Sequence, residues 1–203
     1  MQKEVKIMLN EINVGNKELY EQIINYIPEN EQEENDKRLM LNSLKEFDDV
    51  LTRDNEMFHF TTSAWIVNHD RTKVLMIYHN IYDSWAWIGG HADGNSNLLE
   101  VVKREVEEES GVTNLKLLEN GIFGLSIQIV KPHTKKGKYV SSHLHYDLQF
   151  LFGASENEEL KIAPNENSNV GWIDISNLLD KVNEDHMQPL YQKLINKMKR
   201  LNI

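Results

Sequence analysis

The sequence predicts an α/β fold, in which a mixed sheet is flanked by helices in an α/β/α sandwich and is preceded by a helical extension. Three observations favour this class. Residues 1–54 show helical periodicity, runs of strand length begin at Phe58, and an amphipathic helix follows the glycine pair Gly89-Gly90. Strands that alternate with helices are typical of layered α/β domains. We expect the helical extension to span residues 1–55 and the main domain to span residues 56–203.

Three helices are predicted in the extension, which has 13 acidic and 7 basic residues over positions 1–54. Their apolar stripes are Val5, Met8, Leu9 and Ile12; Leu19, Ile23, Ile24 and Ile27; and Met40, Leu44, Phe47 and Leu51. Pro28 and the acids after it indicate the start of the third helix. No residue here indicates chemistry, so we expect packing on the main domain or on a second subunit. A separate recognition function is the less favoured alternative.

The main domain begins with strands. Residues 58–67 alternate in the way of a strand, 74–78 form a short buried run, and 85–88 lead into the glycine pair. A helix over 98–110 follows. Residues 122–130 and 144–152 are predicted to pair as a long hairpin with a lysine-rich tip, and 171–173 form a last short strand before two helices.

Composition restricts the function classes. The net charge of −10 argues against a general nucleic-acid-binding surface. The chain has no cysteine, which excludes a disulfide, a thiolate nucleophile and a cysteine-based zinc site. No apolar run approaches 18 residues, and the first residues lack the apolar core of a signal peptide. We therefore expect a cytoplasmic enzyme without membrane partners.

The predicted helix over 98–110 carries an unusual acidic face. Glu105, Glu108 and Glu109 are spaced i, i+3 and i+4, so their carboxylates share one side of the helix. Such a cluster needs either full solvation or a cation, and hard ions such as Mg²⁺ prefer carboxylate oxygens. Gly111 is expected to end the helix, and the glycine pair to turn the chain before it. The pattern indicates a divalent-metal site.

The same residues resemble the box of the Nudix hydrolase family. That pattern is Gly, five residues, Glu, seven residues, then Arg-Glu-aliphatic-any-Glu-Glu-any-Gly-aliphatic. Eight of its nine defined positions are filled here, by Gly90, Arg104, Glu105, Val106, Glu108, Glu109, Gly111 and Val112. The exception is Ser96, which replaces the first Glu. The Gly-Gly-His-Ala-Asp-Gly stretch is similar to a branch of the family in which that acid is commonly absent. We therefore interpret Ser96 as a change in loop bracing, or as a helix N-cap.

The resemblance implies a hydrolase that uses Mg²⁺ or Mn²⁺ to cleave a pyrophosphate bond in a nucleoside diphosphate linked to another moiety. It implies that Glu105, Glu108 and Glu109 bind metal, helped by the carbonyl of Gly90 or of the glycine before it. Arg104 would orient Glu105, which would itself be an orienting group or water activator. Arg104, Glu105 and Glu108 form the expected catalytic set. A solvated acidic helix face is the alternative, which the box spacing disfavours.

Four further residues are candidates for substrate binding. His145 and Asp147 alternate along a strand and could touch phosphate or a second metal; a solvent-exposed strand face is equally favoured. His91 follows the glycine pair and is a candidate phosphate contact. Glu166 lies six residues before Trp172, where related enzymes often carry a catalytic or metal-linked acid, although an ordinary loop acid is the favoured interpretation.

Other function classes fit less well. A catalytically silent Nudix-like domain that senses a nucleotide or metabolite is the main alternative, but the three box acids that follow Arg104 are intact. The isomerases that resemble this scaffold use an active-site cysteine, which this chain lacks. RNA decapping would need a more basic groove. We expect a small-molecule nucleotide as substrate, with a homodimer as a further possibility; the base, sugar and leaving group are not indicated.

Overall fold

The computed structural model describes residues 12–135 and 137–203. The part that it does not describe includes three residues of the first predicted helical stripe, Val5, Met8 and Leu9, and one residue of the lysine-rich hairpin tip, Lys136. The fold is α/β, with a mixed sheet and accompanying helices, as predicted. The helices are α1 (Lys17–Asn25), α2 (Glu31–Glu46), α3 (Leu98–Ser110), α4 (Leu178–Lys181) and α5 (Gln188–Leu201). The strands are β1 (Phe58–Val67), β2 (Lys73–His79), β3 (Ser84–Ala86), β4 (Ile88–His91), β5 (Lys116–Leu117), β6 (Gly124–Val130), β7 (His133–Lys135), β8 (Lys138–Val140), β9 (His143–Gly153) and β10 (Asn167–Asp174).

Helix α2 starts later than the sequence indicated. Pro28 lies outside the helix, and the N-cap is Asn30, whose side chain accepts a hydrogen bond of 2.9 Å from the Glu33 backbone N–H. Of the expected acids, Glu31, Glu33 and Glu34 occupy the first turn, where the helix dipole favours negative charge, whereas Glu29 lies before the helix. The start at Pro28 was wrong because a side-chain cap two residues later satisfies the free amides.

The apolar stripes predicted for the second and third helices of the extension continue past the ends of these helices in the structure. Ile27 lies beyond the end of α1 and is 81% exposed, because the backbone turns extended at Tyr26. Phe47 is the C-cap of α2, also with extended backbone, and Leu51 is buried beyond it. The helical interpretation of these three apolar residues was therefore wrong, whereas Leu19, Ile23, Met40 and Leu44 are buried as expected.

The main sheet has the strand order β10-β2-β1-β9-β5, with β3 paired to β2, β4 to β1 and β6 to β9. Strands β1 and β2 are antiparallel, with Val67 opposite Val74, and strands β10 and β2 are antiparallel, with Trp172 opposite Leu75. The predicted strands are confirmed, and the hairpin of β6 and β9 is among them. The two-residue strand β5 and the small β7–β8 hairpin at the lysine-rich tip were not predicted.

The described residues divide into two compact units. The first comprises the residues up to Thr62, His91–Val101 and Leu125–Leu148; the second comprises Ser63–Gly90, Val102–Gly124 and Gln149–Ile203. Strands β1, β4, β6 and β9 and helix α3 contribute residues to both. Whether the functional boundary lies at residue 55 stays a prediction.

Different contacts stabilise the two units. In the first, helix α2 of the extension binds strand β6: Gln32 Nε2 donates to the Leu125 carbonyl (3.2 Å), and Asp36 Oδ2 accepts from the Ile127 N–H (2.9 Å). In the second, an apolar cluster joins strands to the C-terminal helices, with Trp65, Trp87, Phe123, Leu151, Tyr191 and Leu194 among its members. No helix in the described part of the chain is long and apolar enough to cross a membrane.

Candidate active site

Helix α3 covers the residues that the sequence predicted, but its N-cap differs. The Asn97 carbonyl accepts from the Val101 N–H (3.2 Å), and its side chain accepts from the Glu100 N–H (3.3 Å). Asn97 therefore caps the helix, and the interpretation of Ser96 as the N-cap was wrong. Asparagine and serine are both good caps, and only the backbone geometry distinguishes neighbouring candidates.

We expect Asn97→Ala to lower the free energy of unfolding by about 1 kcal/mol, the usual cost of losing a side-chain cap. Ser96→Ala should change it by less than about 0.5 kcal/mol, as is usual for a surface position without a special contact. Urea unfolding of both variants measures this. A larger loss in Ser96→Ala than in Asn97→Ala would contradict the assignment.

The C-terminal end of α3 is held by the loop that leads to β10. Gly111 ends the helix with φ +77°, as predicted. The Lys161 N–H donates to the Ser110 carbonyl (2.8 Å), and Asn167 Nδ2 donates to the Glu109 carbonyl (3.0 Å). These bonds satisfy carbonyls that a helix end otherwise leaves free. They also fix residues 161–167 beside the acidic face.

The box arginine contacts two of the glutamates. Arg104 Nη2 donates to Glu105 Oε1 at 2.9 Å, and Arg104 Nε lies 3.8 Å from Glu108 Oε1. The side chain of Glu105 is 15% exposed, whereas that of Glu108 is 62% exposed. Burial raises the pKa of Glu105, and the neighbouring Arg104 opposes that shift. Arg104 is thus placed to hold the Glu105 carboxylate in one orientation.

Gly90 makes room for Glu105. Both glycines of the pair lie within extended strand β4, so the predicted turn at these residues was wrong. The turn comes later, at Asp93 (φ 45°) and Gly94 (φ +88°). A Cβ atom at Gly90 would lie 2.4 Å from Glu105 Cδ, closer than real contacts allow. The glycine is needed for the close approach of strand and carboxylate.

Glu109 is the buried member of the acidic face. It is 3% exposed, and its Oε2 atom has no hydrogen-bond partner among the described residues. Burial, followed by a hydrogen bond and charge repulsion from Glu166, raises the pKa of Glu109 to about 9. The Glu166 carbonyl accepts from the Asn80 N–H at 3.0 Å, which anchors the loop. The structure thus brings Glu166 against the box acids.

The donor set of this face fits a hard divalent ion. Glu105 and Glu109 lie in a partly dehydrated place, where the ionised form of each carboxyl group is costly without a cation, so a bound ion would replace the proton that Glu109 holds at neutral pH. The unpartnered Oε2 of Glu109 is a buried acceptor that an ion would satisfy. Mg²⁺ and Mn²⁺ both accept oxygen ligands of this kind.

A separate group of histidines lies within the first unit. His59 on β1, His91 on β4 and His145 on β9 each place a ring nitrogen within 4.8 Å of the others. The Nε2 atom of His143 lies 3.2 Å from that of His145. The sequence pointed to His91 and His145 but missed His59, because only the pairing of β1 with its neighbours brings that residue to the others.

Burial keeps these imidazoles neutral. It lowers the pKa of His91 to about 2, and it lowers the pKa of His59 and His145 as well. The Arg53 guanidinium adds to the shift at His91 and His59. Arg53 itself donates from Nε to Asp93 Oδ1 at 2.8 Å. The group is therefore a set of lone-pair donors and not a positively charged patch.

Asp147 lies on the same strand but is engaged elsewhere. It is 2% exposed, and its Oδ1 accepts from Thr61 Oγ1 at 2.8 Å. Gln149, two residues on, is 1% exposed. The alternative of a solvent-exposed strand face is therefore wrong for Asp147.

Comparison with known families identifies the fold. The profile of the NUDIX domain matches residues 57–194. The chain belongs to the NUDIX family. The Nudix hydrolase resemblance of the box is thereby confirmed, and the enzyme is a Nudix pyrophosphohydrolase. A search of curated proteins gives no match.

Solved structures of Nudix proteins share the fold at low sequence identity. A Nudix hydrolase from M. smegmatis is 12% identical, with a TM-score of 0.53 over 70% of this chain and 87% of that one. The E. coli dihydroneopterin triphosphate pyrophosphohydrolase is 14% identical, with a TM-score of 0.50 over 67% and 94%. A C. elegans Ap4A hydrolase is 16% identical, with a TM-score of 0.50 over 70% and 96%. At these sequence identities, the structural similarity shows a shared fold and nothing about the substrate of this NUDIX protein.

Proposed function

We propose that this NUDIX enzyme is a hydrolase dependent on a divalent metal, which cleaves the pyrophosphate bond of a nucleoside diphosphate linked to another moiety. The observation that carries the proposal is the buried, unpartnered Oε2 atom of Glu109 on the box helix. A buried carboxyl oxygen without a hydrogen-bond partner is costly in a protein built only for stability. Its place among the other box acids supports a metal-binding role.

In this proposal Mg²⁺ or Mn²⁺ is bound by four groups, which are the carboxylates of Glu105, Glu108 and Glu109 and the carbonyl of Gly90. When bound, the ion acts as a Lewis acid that offsets charge on the phosphate oxygens. Arg104 holds Glu105 through the 2.9 Å hydrogen bond, so that this carboxylate orients, or takes a proton from, the water that attacks phosphorus. Glu108, the most exposed of the three acids, completes the catalytic set.

We propose Glu166, His91, His145 and Asp147 as substrate-binding residues. The contact of Glu166 with Glu109 supports its place beside the metal. Neutral His91 and His145 would contribute lone pairs or N–H donors and not positive charge. Asp147 would act through Thr61, with which it shares a hydrogen bond. We further propose a small-molecule substrate, since the net charge is −10, and a cytoplasmic enzyme that could form a homodimer.

A substrate panel tests the proposal. Nucleotide sugars, dinucleoside polyphosphates, NADH, ADP-ribose and oxidised nucleoside triphosphates are incubated with Mg²⁺, Mn²⁺ or EDTA, and the products are separated by chromatography. We expect cleavage of at least one nucleoside diphosphate derivative in metal and none in EDTA. No cleavage in either metal, together with tight binding of one compound, would favour the silent sensor instead.

Metal alone should stabilise the protein. An ion that binds only the folded state at a hundred times its dissociation constant adds about 2.7 kcal/mol. For a chain of this size each kcal/mol raises Tm by roughly 2–4 °C, so we expect a shift of several degrees. Scanning calorimetry in millimolar Mg²⁺ or Mn²⁺ against EDTA measures it. An unchanged Tm in both metals would contradict metal binding.

A further inference from the structure

We propose that His59, His91 and His145 form a second metal site, which binds a borderline transition ion of the Zn²⁺ type and not Mg²⁺. Its donor set contains three imidazoles and no carboxylate. Imidazole ligands suit zinc, cobalt, nickel and copper, whereas Mg²⁺ requires oxygen donors. The site thus differs in chemistry from the acidic face of α3.

The geometry of the three donors supports the assignment. One nitrogen from each ring lies within 4.8 Å of the other two, and each ring is mounted on a different strand of the sheet. Zinc–nitrogen bonds of about 2.0–2.1 Å place tetrahedral ligands about 3.3–3.4 Å apart, so modest side-chain rotations would close the cluster. Three protein ligands would leave a fourth position open for water or a phosphate oxygen.

His59 provides an independent observation. It is 4% exposed, its Nδ1 atom lies 3.1 Å from the Asn55 carbonyl, and its Nε2 atom has no partner among the described residues. With Nδ1–H donating to that carbonyl, the lone pair belongs to the unpartnered Nε2. Histidines that bind metals commonly use their second nitrogen in this way, which fixes both tautomer and ring orientation.

The surroundings of the cluster agree with this role. His143 Nδ1 lies 2.8 Å from the Ser141 carbonyl, to which it can donate, and its Nε2 faces that of His145 at 3.2 Å. His143 Nε2 can thereby accept a hydrogen bond from the Nε2–H of His145, which leaves the Nδ1 lone pair of His145 for the ion. The nearby guanidinium of Arg53 is paired with Asp93, which reduces its repulsion of a cation.

The test uses a Glu105→Gln/Glu109→Gln variant, so that the carboxylates of the box do not compete. The metal-free protein in millimolar Mg²⁺ is titrated with Co²⁺, whose visible absorption reports tetrahedral nitrogen ligation, and then with Zn²⁺. We expect one equivalent of Co²⁺ per chain, displaced by Zn²⁺, and shifts in the ring NMR signals of His59, His91 and His145. Absence of binding, or shifts confined to other histidines, would overturn the proposal.

Variants in the same background locate the ion. His91→Gln and His145→Gln should each weaken Zn²⁺ binding at least a hundredfold, whereas His69→Gln, at a fully exposed histidine, should leave it unchanged. Circular dichroism of the metal-free proteins checks folding. Unchanged affinity in a folded His91→Gln or His145→Gln protein would overturn the site. If those variants do not fold, the ring NMR shifts of the Glu105→Gln/Glu109→Gln protein still show whether His59, His91 and His145 bind the ion. The panel with wild-type protein and Mg²⁺ tests the hydrolase proposal separately.

Discussion

Glu109→Gln is expected to lower turnover by at least about a hundredfold while leaving the protein folded. The amide has the size of the carboxyl group and can donate a hydrogen bond to Glu166, with which Glu109 is in contact. It lacks the charge that a hard cation requires, and a hundredfold loss corresponds to about 2.7 kcal/mol of transition-state stabilisation. The measurements are kcat in saturating Mg²⁺ and the free energy of unfolding in EDTA.

Glu107→Gln is the matched control. The substitution removes the same charge from the same helix, but Glu107 is exposed and its side chain lies about 160° from that of Glu109 around the helix axis. Its turnover should equal that of the wild type. Equal losses in the two variants would indicate a general charge effect, and wild-type turnover in Glu109→Gln would return the acidic face to a structural role.

Gly90→Ala is expected to reduce turnover by roughly tenfold to a hundredfold, with a loss of about 1–3 kcal/mol in unfolding free energy from overpacking. The added Cβ would lie 2.4 Å from Cδ and 2.7 Å from Cγ of Glu105. The half-buried Glu105 side chain must therefore move and take its carboxylate away from Arg104. Displacement of Glu105 from its proposed role as water activator should lower kcat more than it raises KM, because geometry at the reacting centre is lost.

Gly15→Ala serves as the control for this substitution. A Cβ there meets Asn13 Oδ1 at 3.7 Å, an ordinary contact. Its kcat and its urea midpoint should stay close to those of the wild type. Wild-type turnover in Gly90→Ala would show that the close packing of strand β4 on Glu105 does not matter for the chemistry.

Local signals allowed helix α3 to be predicted from Leu98 to Ser110. The helical spacing of its apolar residues and the glycine that ends it, Gly111, are both features of the local sequence. The extended conformation of the glycine pair could not be read in this way. Glycine tolerates both turns and strands, and only the approach of Glu105 shows why Gly90 is needed here.

The acidic box helix was predictable from spacing, whereas its partners were not. Glu166 lies next to Glu109 because Lys161 and Asn167 donate hydrogen bonds to the last carbonyls of α3. No sequence pattern predicts these hydrogen bonds. His59 joins His145 through strand pairing across more than eighty residues. Such non-local contacts depend on the register of the sheet, which hydrophobic alternation restricts only to one face or the other.

In the proposed mechanism, an ion bound by the box acids supports pyrophosphate cleavage. The most direct test follows Mn²⁺ binding by electron paramagnetic resonance and hydrolysis of the best panel substrate in the same titration of metal-free wild-type protein. We predict no turnover before Mn²⁺ is added and a rise that follows occupancy of a site absent from Glu109→Gln. Full turnover in EDTA, or turnover that follows no bound Mn²⁺, would contradict this mechanism.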